Sequence, residues 1–156
     1  MNDKPPVVRT LANNRRALHE YHVLERIEAG VALTGTEVKS CRTGKIQLQE
    51  GYVEMRRGEA WLLGVHIAQY SHGGRENHLP DRERKLLLSR REIDRLAGRV
   101  QAKGLTLVPL SVYLKGSRIK VEIALVQGKK LHDKRETERR RELEREARAA
   151  MRGEPI

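Results

Sequence analysis

Phenylalanine is absent from this chain, tryptophan occurs once as Trp61, and four tyrosines complete the aromatic set. A sheet that reads splayed-out bases needs a cluster of aromatic side chains to stack them. So few argue against an RNA recognition motif and for recognition through backbone shape and phosphate charge. Cysteine is nearly absent too. Cys41 stands alone, which excludes an internal disulfide and any paired-cysteine zinc site. It shares a helical face with Val38 and reads as a small buried core residue, not a nucleophile. No apolar run approaches the roughly 20 residues of a spanning helix. The first ten residues have no apolar core of the signal-peptide kind. A cytosolic protein with no membrane partner is therefore expected.

Charge is what the chain has in plenty. Its 156 residues carry a formal net charge of +11 and a sequence pI near 10.2. Such a charge speaks to partners, not to fold, and favours a polyanion, nucleic acid before an anionic membrane. The excess is unevenly placed. Residues 1–128 hold 22 Lys and Arg against 14 Asp and Glu, a net of +8, whereas residues 129–156 hold 10 against 7, a net of +3. The basic surface therefore belongs to the core, and the tail is densely charged but nearly balanced.

Local signals divide the chain into three parts: a disordered lead-in over 1–12, a core over 13–128 and a tail over 129–156. Pro5-Pro6 lies in the lead-in. Asn13-Asn14 caps a short helix, and residues 21–27 have strand character. Thr34 and Glu37 match a capping box at the start of a second helix, which Gly44 ends. Residues 52–56 and 60–67 predict a hairpin across Arg57-Gly58-Glu59. Residues 71–84, with Gly73-Gly74 and Pro80, read as an exposed loop. Ser89 and Glu92 form a second capping-box pattern before Ile93, Leu96, Ala97 and Val100, which recur at helical spacing. That helix is expected to end at Gly104, and its outer face is basic. Residues 105–114 and 119–126 predict the clearest hairpin, turning at Lys115-Gly116-Ser117. Pro109 requires an edge or a bulge there. The composite is mainly β with short helices, compatible with a small OB-like antiparallel barrel.

After Gly128 the pattern changes. Residues 137–152 are good helix formers, but their apolar face is thin: Leu143, Ala147, Ala150 and Met151. A tail disordered in isolation and helical when a partner supplies the other surface is expected. His19 and His22, with Glu20 and Glu25 nearby, superficially imitate a metal or nuclease site. If both histidines lie on a strand they face opposite ways, and no HExxH or paired-Cys motif supports a catalytic or metal site. No cofactor is expected.

Blocks spread along the chain then combine. Asn14-Arg15-Arg16-Ala17, Glu28-Ala29-Gly30 and Leu33-Thr34-Gly35-Thr36-Glu37-Val38-Lys39-Ser40 are followed by Arg84-Lys85-Leu86-Leu87-Leu88, Lys103-Gly104-Leu105-Thr106-Leu107-Val108-Pro109-Leu110 and Gly128-Lys129-Lys130-Leu131-His132-Asp133-Lys134-Arg135. In this order, over roughly residues 13–148, they resemble the small protein B family, the SsrA-binding proteins of trans-translation. The resemblance implies an OB-like barrel that binds the tRNA-like domain of transfer-messenger RNA (tmRNA) and carries it to stalled ribosomes. It also implies an adaptor, not an enzyme, and a monomer. It places the acidic RNA-binding position on Glu28 and its neighbours on Arg15, Arg16, His19 and Tyr21. A second RNA-binding patch falls on Lys85, Leu87 and Ser89. Ser89 stands where many members have Asn or His, and it is also the expected helix cap. The resemblance assigns Gly128, Lys129, Lys130, His132, Asp133, Lys134 and Arg135 to a ribosome-binding tail that becomes helical in the decoding centre and mRNA channel. Leu143 replaces a Trp carried by many members.

Overall fold

A computed structural model of the chain describes residues 7–129 and 131–153, residues 131–133 by backbone alone. Among the described residues there are nine strands and four α-helices. In order they are β1 (Val8–Asn13), α1 (Arg15–Glu20), β2 (Tyr21–Val31), α2 (Gly35–Arg42), β3 (Ile46–Gln47), β4 (Tyr52–Arg56), β5 (Glu59–Leu63), β6 (His66–Ile67), β7 (Arg84–Leu87), α3 (Arg90–Arg99), β8 (Leu105–Lys115), β9 (Arg118–Gly128) and α4 (Leu131–Met151). Seven strands form one antiparallel sheet in the order β1-β8-β9-β2-β7-β5-β4, and β3 pairs with β6. β4 comes back against β8, so the sheet curls into a nearly closed barrel.

The barrel interior is filled from alternate strand positions. Ile119, Val121, Ile123 and Leu125 of β9 point inward with Leu107, Val112 and Leu86, and all are buried. Ala124 and Val126 face the other way and are buried too, because α1 packs Ala17 over them with Val108 and Leu110. β9 thus becomes apolar on both faces where α1 covers it. Each fully buried Val, Leu or Ile contributes about 1.5–3 kcal/mol to folding. Pro109 sits at a bulge, between a register shift at Pro109 and Ser111, so the interior strand β8 tolerates a residue without an N–H. Lys115 pairs with Arg118 across a two-residue turn, and Arg56 pairs with Glu59 across Arg57-Gly58.

Helix ends follow the expected chemistry. Asn14 is buried; its Oδ1 accepts from the Ala17 N–H at 3.2 Å, and its Nδ2 donates to the Pro109 carbonyl at 2.9 Å. The cap that starts α1 therefore also ties it to the sheet. Thr34 and Glu37 form the reciprocal capping box, and Gly44 follows α2 with φ +75°. Ser89 Oγ accepts from the Glu92 N–H, one half of the expected second box. α3 ends at Arg99, one turn earlier than expected, and residues 101–104 lead out of it. Cys41 is fully buried, and burial pushes its thiol up to about 12.

Three expectations change. Residues 8–12, assigned to the disordered lead-in, form β1 along β8, from Val8 opposite Lys115 to Asn13 opposite Ser111. Most of their side chains are exposed, so the order leans on backbone pairing, which hydrophobic patterning does not reveal, with Leu11 and Ala12 packed against the core. His19 lies in α1, not on a strand. The 71–84 loop is exposed over much of its length but contains buried His78 and ends on Arg84, which is 0% exposed. The tail, expected to be helical when bound, forms the helix α4 over Leu131–Met151. Its root is fastened: the Lys129 N–H donates to the Glu20 carbonyl at 2.9 Å, and Lys129 Nζ donates to the Leu18 carbonyl at 3.1 Å and to Thr137 Oγ1 at 2.8 Å. Beyond that root Leu143 and Met151 are exposed.

Glu37 does more than cap α2. Arg84 Nε donates to its Oε2 at 2.6 Å, Arg82 Nη2 to its Oε1 at 2.5 Å, and the Thr34 N–H to Oε1 at 2.8 Å. Burial works to raise the carboxyl, but these donors outweigh it and hold the group at about 2. The cluster joins α2 to β7 from inside the fold.

Candidate nucleic-acid interface

The outer face of the sheet follows from strand register. Leu86 points inward, so Lys85 and Leu87 point outward. Ile27 and Ala29 are buried, so Glu28 and Gly30 share the opposite face of β2. Pairing then lines up Tyr113 of β8, Lys120 of β9, Gly30 of β2 and Leu87 of β7 in one row. A side chain on Gly30 would meet the Leu87 Cβ at 3.1 Å, so glycine keeps this row low. Glu28 lies next to the row, opposite Glu122, and Lys85 lies opposite Trp61. Leu87 is 54% exposed, an apolar surface between charged neighbours.

Glu28 is held from one side. The Tyr113 hydroxyl donates to its Oε2, and Lys115 Nζ lies 3.2 Å from Oε1. The Tyr113 hydrogen bond, with help from Lys115, holds the Glu28 carboxyl below the ordinary carboxylate range. Burial and the hydrogen bond to Glu28 push the Tyr113 phenol up, so it remains a donor. Glu28 is therefore an ionised, oriented acceptor on a face that also presents Lys85, Lys115 and Lys120. Arg26 donates to Glu122 Oε1 at 2.9 Å. Beside that pair a groove of about 280 Å³ is lined by Asn13, Arg15, Leu18, Arg26, Ser111 and Glu122.

Of the remaining expected site residues, Arg16, His19 and Tyr21 lie in or next to α1. Arg16 bonds Glu20 at 3.0 Å and Glu50 at 2.7 Å, and with Tyr21 and Tyr52 it lines a second groove of about 360 Å³. His19 faces the tail instead, with Nε2 2.5 Å from Glu138 Oε1. Ser89 is the cap of α3, just past Leu87. Among the described residues no group of three or more His, Cys, Asp or Glu is placed to hold a metal ion. Nor, among them, is any helix long and apolar enough to cross a membrane.

Comparison with known proteins resolves the kinship. The family model for SmpB protein matches residues 11–153. The chain belongs to the SmpB family. An SsrA-binding protein of Nostoc punctiforme is 53% identical over 152 residues, 97% of this chain and 98% of that protein. One of Roseiflexus castenholzii is 57% identical over 140 residues, 89% of each. A chain in a solved structure of tmRNA-SmpB on its journey to the center of the bacterial ribosome is 47% identical, with a TM-score of 0.66. The match covers 77% of this chain and 85% of that one.

In this SmpB chain the structure thus gathers Glu28, Lys85 and Leu87 on one face, with Arg15 at its border. Arg16 and Tyr21 lie in the neighbouring groove. His19, Gly128 and Lys129 lie where α1, β9 and the root of α4 meet. Lys134 is half-buried and Arg135 exposed on α4. Lys130 and the side chains of His132 and Asp133 lie outside the described residues. Sequence reading missed Tyr113, Lys115 and Lys120. The hairpin turn at Gly116-Ser117 already pairs Tyr113 with Lys120, so their common face was available. What it does not contain is the placement of β2 beside β9, which brings Glu28 to them.

Proposed function

We infer that the chain is an RNA-binding adaptor, not an enzyme. It binds the tRNA-like domain of tmRNA and delivers it to stalled ribosomes for trans-translation. The observation that carries this reading is the near-full-length similarity to SsrA-binding proteins. The physical arrangement supports it. Lys85, Lys115, Lys120 and Arg15 supply cations for phosphates, which makes binding salt-dependent. An ionised Glu28 repels phosphate. Its place on such a face makes sense as an acceptor from a base amino or imino group or a 2′-OH. Leu87 adds an apolar contact next to it.

The rest of the assignment extends the same reading. Arg16, Tyr21, His19 and Ser89 form the margins of the RNA surface. Residues 13–128 are the tmRNA-binding core, with residues 8–12 now added to it as β1. The tail from Lys129 onward, carrying Lys130, His132, Asp133, Lys134 and Arg135, engages the decoding centre and mRNA channel of the small subunit. The adaptor works as a monomer in the cytoplasm. Glu28→Ala tests the core: it should weaken binding of the tRNA-like domain at least fivefold, about 1 kcal/mol, with an unchanged unfolding midpoint. Unchanged affinity would remove Glu28 from the interface.

A further inference from the structure

The turn between β4 and β5 contains Arg57 at φ +52° and Gly58 at φ +75°. Arg57 is the single non-glycine residue with positive φ among the described residues. Two successive positive φ values are what a tight hairpin turn of this kind requires, and Asn or Asp fills the first position at lower steric cost than arginine. Arginine at this tip is therefore not what the turn itself favours. Nor does a partner inside the chain explain it, since Arg57 has none among the described residues. Its neighbour Arg56 behaves differently, donating to Glu83 at 2.7 Å and to Glu54 at 3.2 Å, which fastens the hairpin next to β7.

The tip has company. β5 runs beside β7, with Ala60 opposite Leu86, so the turn projects to where Leu88 and Ser89 lead into α3. There the Arg90 guanidinium lies over the turn, and a Cβ on Gly58 would come within 2.8 Å of its Nη1. The Arg90 side chain is 75% exposed, and among the described residues its ion-pair partner is Asp94, at 3.4 Å. Arg91 is exposed and, like Arg57, has no carboxylate partner among the described residues. The turn at Arg57-Gly58 thus lies against the start of α3, which carries Arg90 and Arg91 and follows Leu87 by three residues.

We propose that Arg57, Arg90 and Arg91 form a phosphate-gripping extension of the RNA surface, contacting the backbone beyond the part that meets Glu28 and Leu87. The proposal rests on the function inferred above. Guanidinium groups suit phosphate oxygens because their fork of N–H donors can bond two at once. The left-handed turn fixes the direction of the Arg57 Cα–Cβ bond, from which the exposed side chain extends.

The test compares wild type, Arg57→Asn, Arg57→Asn/Arg91→Gln and Glu28→Gln. Binding of a transcript of the tRNA-like domain is measured across a salt series, alongside thermal unfolding. Each lost phosphate contact should lower the salt slope by about 0.9, which is about fivefold in affinity between 1 M and 0.15 M salt. Arg57→Asn should bind more weakly yet unfold at the same or a higher temperature, since asparagine suits the turn better. That split separates a binding role from a structural one. Unchanged slopes in both arginine variants, with Glu28→Gln weakened, would overturn this extension alone. A wild type that binds an unrelated hairpin equally well would overturn the underlying reading, and the extension with it.

Discussion

Replacing Tyr113 with phenylalanine removes one hydroxyl from the outer face and leaves the ring in place. That hydroxyl donates to Glu28 Oε2, and Lys115 is the other group holding the same carboxylate. A hydrogen bond to an ionised acceptor contributes about 1.5–3 kcal/mol when water is excluded. Glu28 is 40% exposed, so water recovers part of this, and about 1 kcal/mol is the expected loss. If the hydroxyl orients Glu28 toward RNA, affinity for the tRNA-like domain should fall about fivefold in Tyr113→Phe. In a Glu28→Gln background the same change should add little, because the group being oriented is already gone. The pH profile gives a second reading. Binding requires the carboxylate, and Tyr113 is the largest influence lowering its pKa. Wild type should therefore keep binding as pH falls below the ordinary value of 4.5, and Tyr113→Phe should lose binding at a higher pH than wild type. Fluorescence anisotropy on the four proteins provides the cycle. An equal loss in both backgrounds would mean that Tyr113 touches RNA itself. No loss in either, with Glu28→Gln impaired, would mean that Glu28 needs no orienting.

Three further outcomes concern the frame and the tail. Glu37→Gln should destabilise the fold by about 3–5 kcal/mol in urea unfolding, because it leaves Arg84 buried against a neutral amide; a loss under 1 kcal/mol would show that the cluster does not hold α2 to β7. The same carboxylate sits at about 2 in the folded state against an ordinary 4.5. Its contribution, about 3 kcal/mol, should be present above pH 4.5 and drain away as pH falls from there toward 2. Acid unfolding of wild type should be steep in that window and flatter in Glu37→Gln. Removing residues 130–156 keeps the Lys129 contacts with α1, so binding of the tRNA-like domain should survive while peptide tagging on stalled ribosomes is lost. Surviving tagging would contradict the role given to the tail.

Local signals in the sequence carried well where one element contains its own explanation. The Thr34–Glu37 cap, the turn at Gly116-Ser117, the bulge at Pro109 and the burial of Cys41 each depend on residues a few positions apart. Long-range partners were not legible. Arg84 and Glu37 lie 47 positions apart and look like ordinary surface charges in a chain this charged. β1 was missed because most of its side chains are exposed and its order leans on backbone bonds to β8, while Leu11 and Ala12 alone make a short apolar signal. The interface was half visible: motif resemblance pointed to Glu28, Lys85 and Leu87. The order of strands across the sheet was needed to place Tyr113, Lys115 and Lys120 around them. Arg57 shows the reverse case. Its turn was predicted, but only the backbone angle reveals that arginine is an unusual choice there.

The fastening of α4 at its root has a mechanical consequence. Twenty-one helical residues span about 32 Å at 1.5 Å per residue. The inner end is tied to α1 through Lys129, Thr137 and the His19–Glu138 pair, while Leu143 and Met151 stand in solvent. Such a helix can act as a lever on the bearing at its root. A rotation of about 30° at the bearing sweeps its tip through roughly half its own length, about 16 Å, without melting a turn. Redirecting the tail about this root exchanges the polar contacts at its base, while its internal hydrogen bonds travel with it intact.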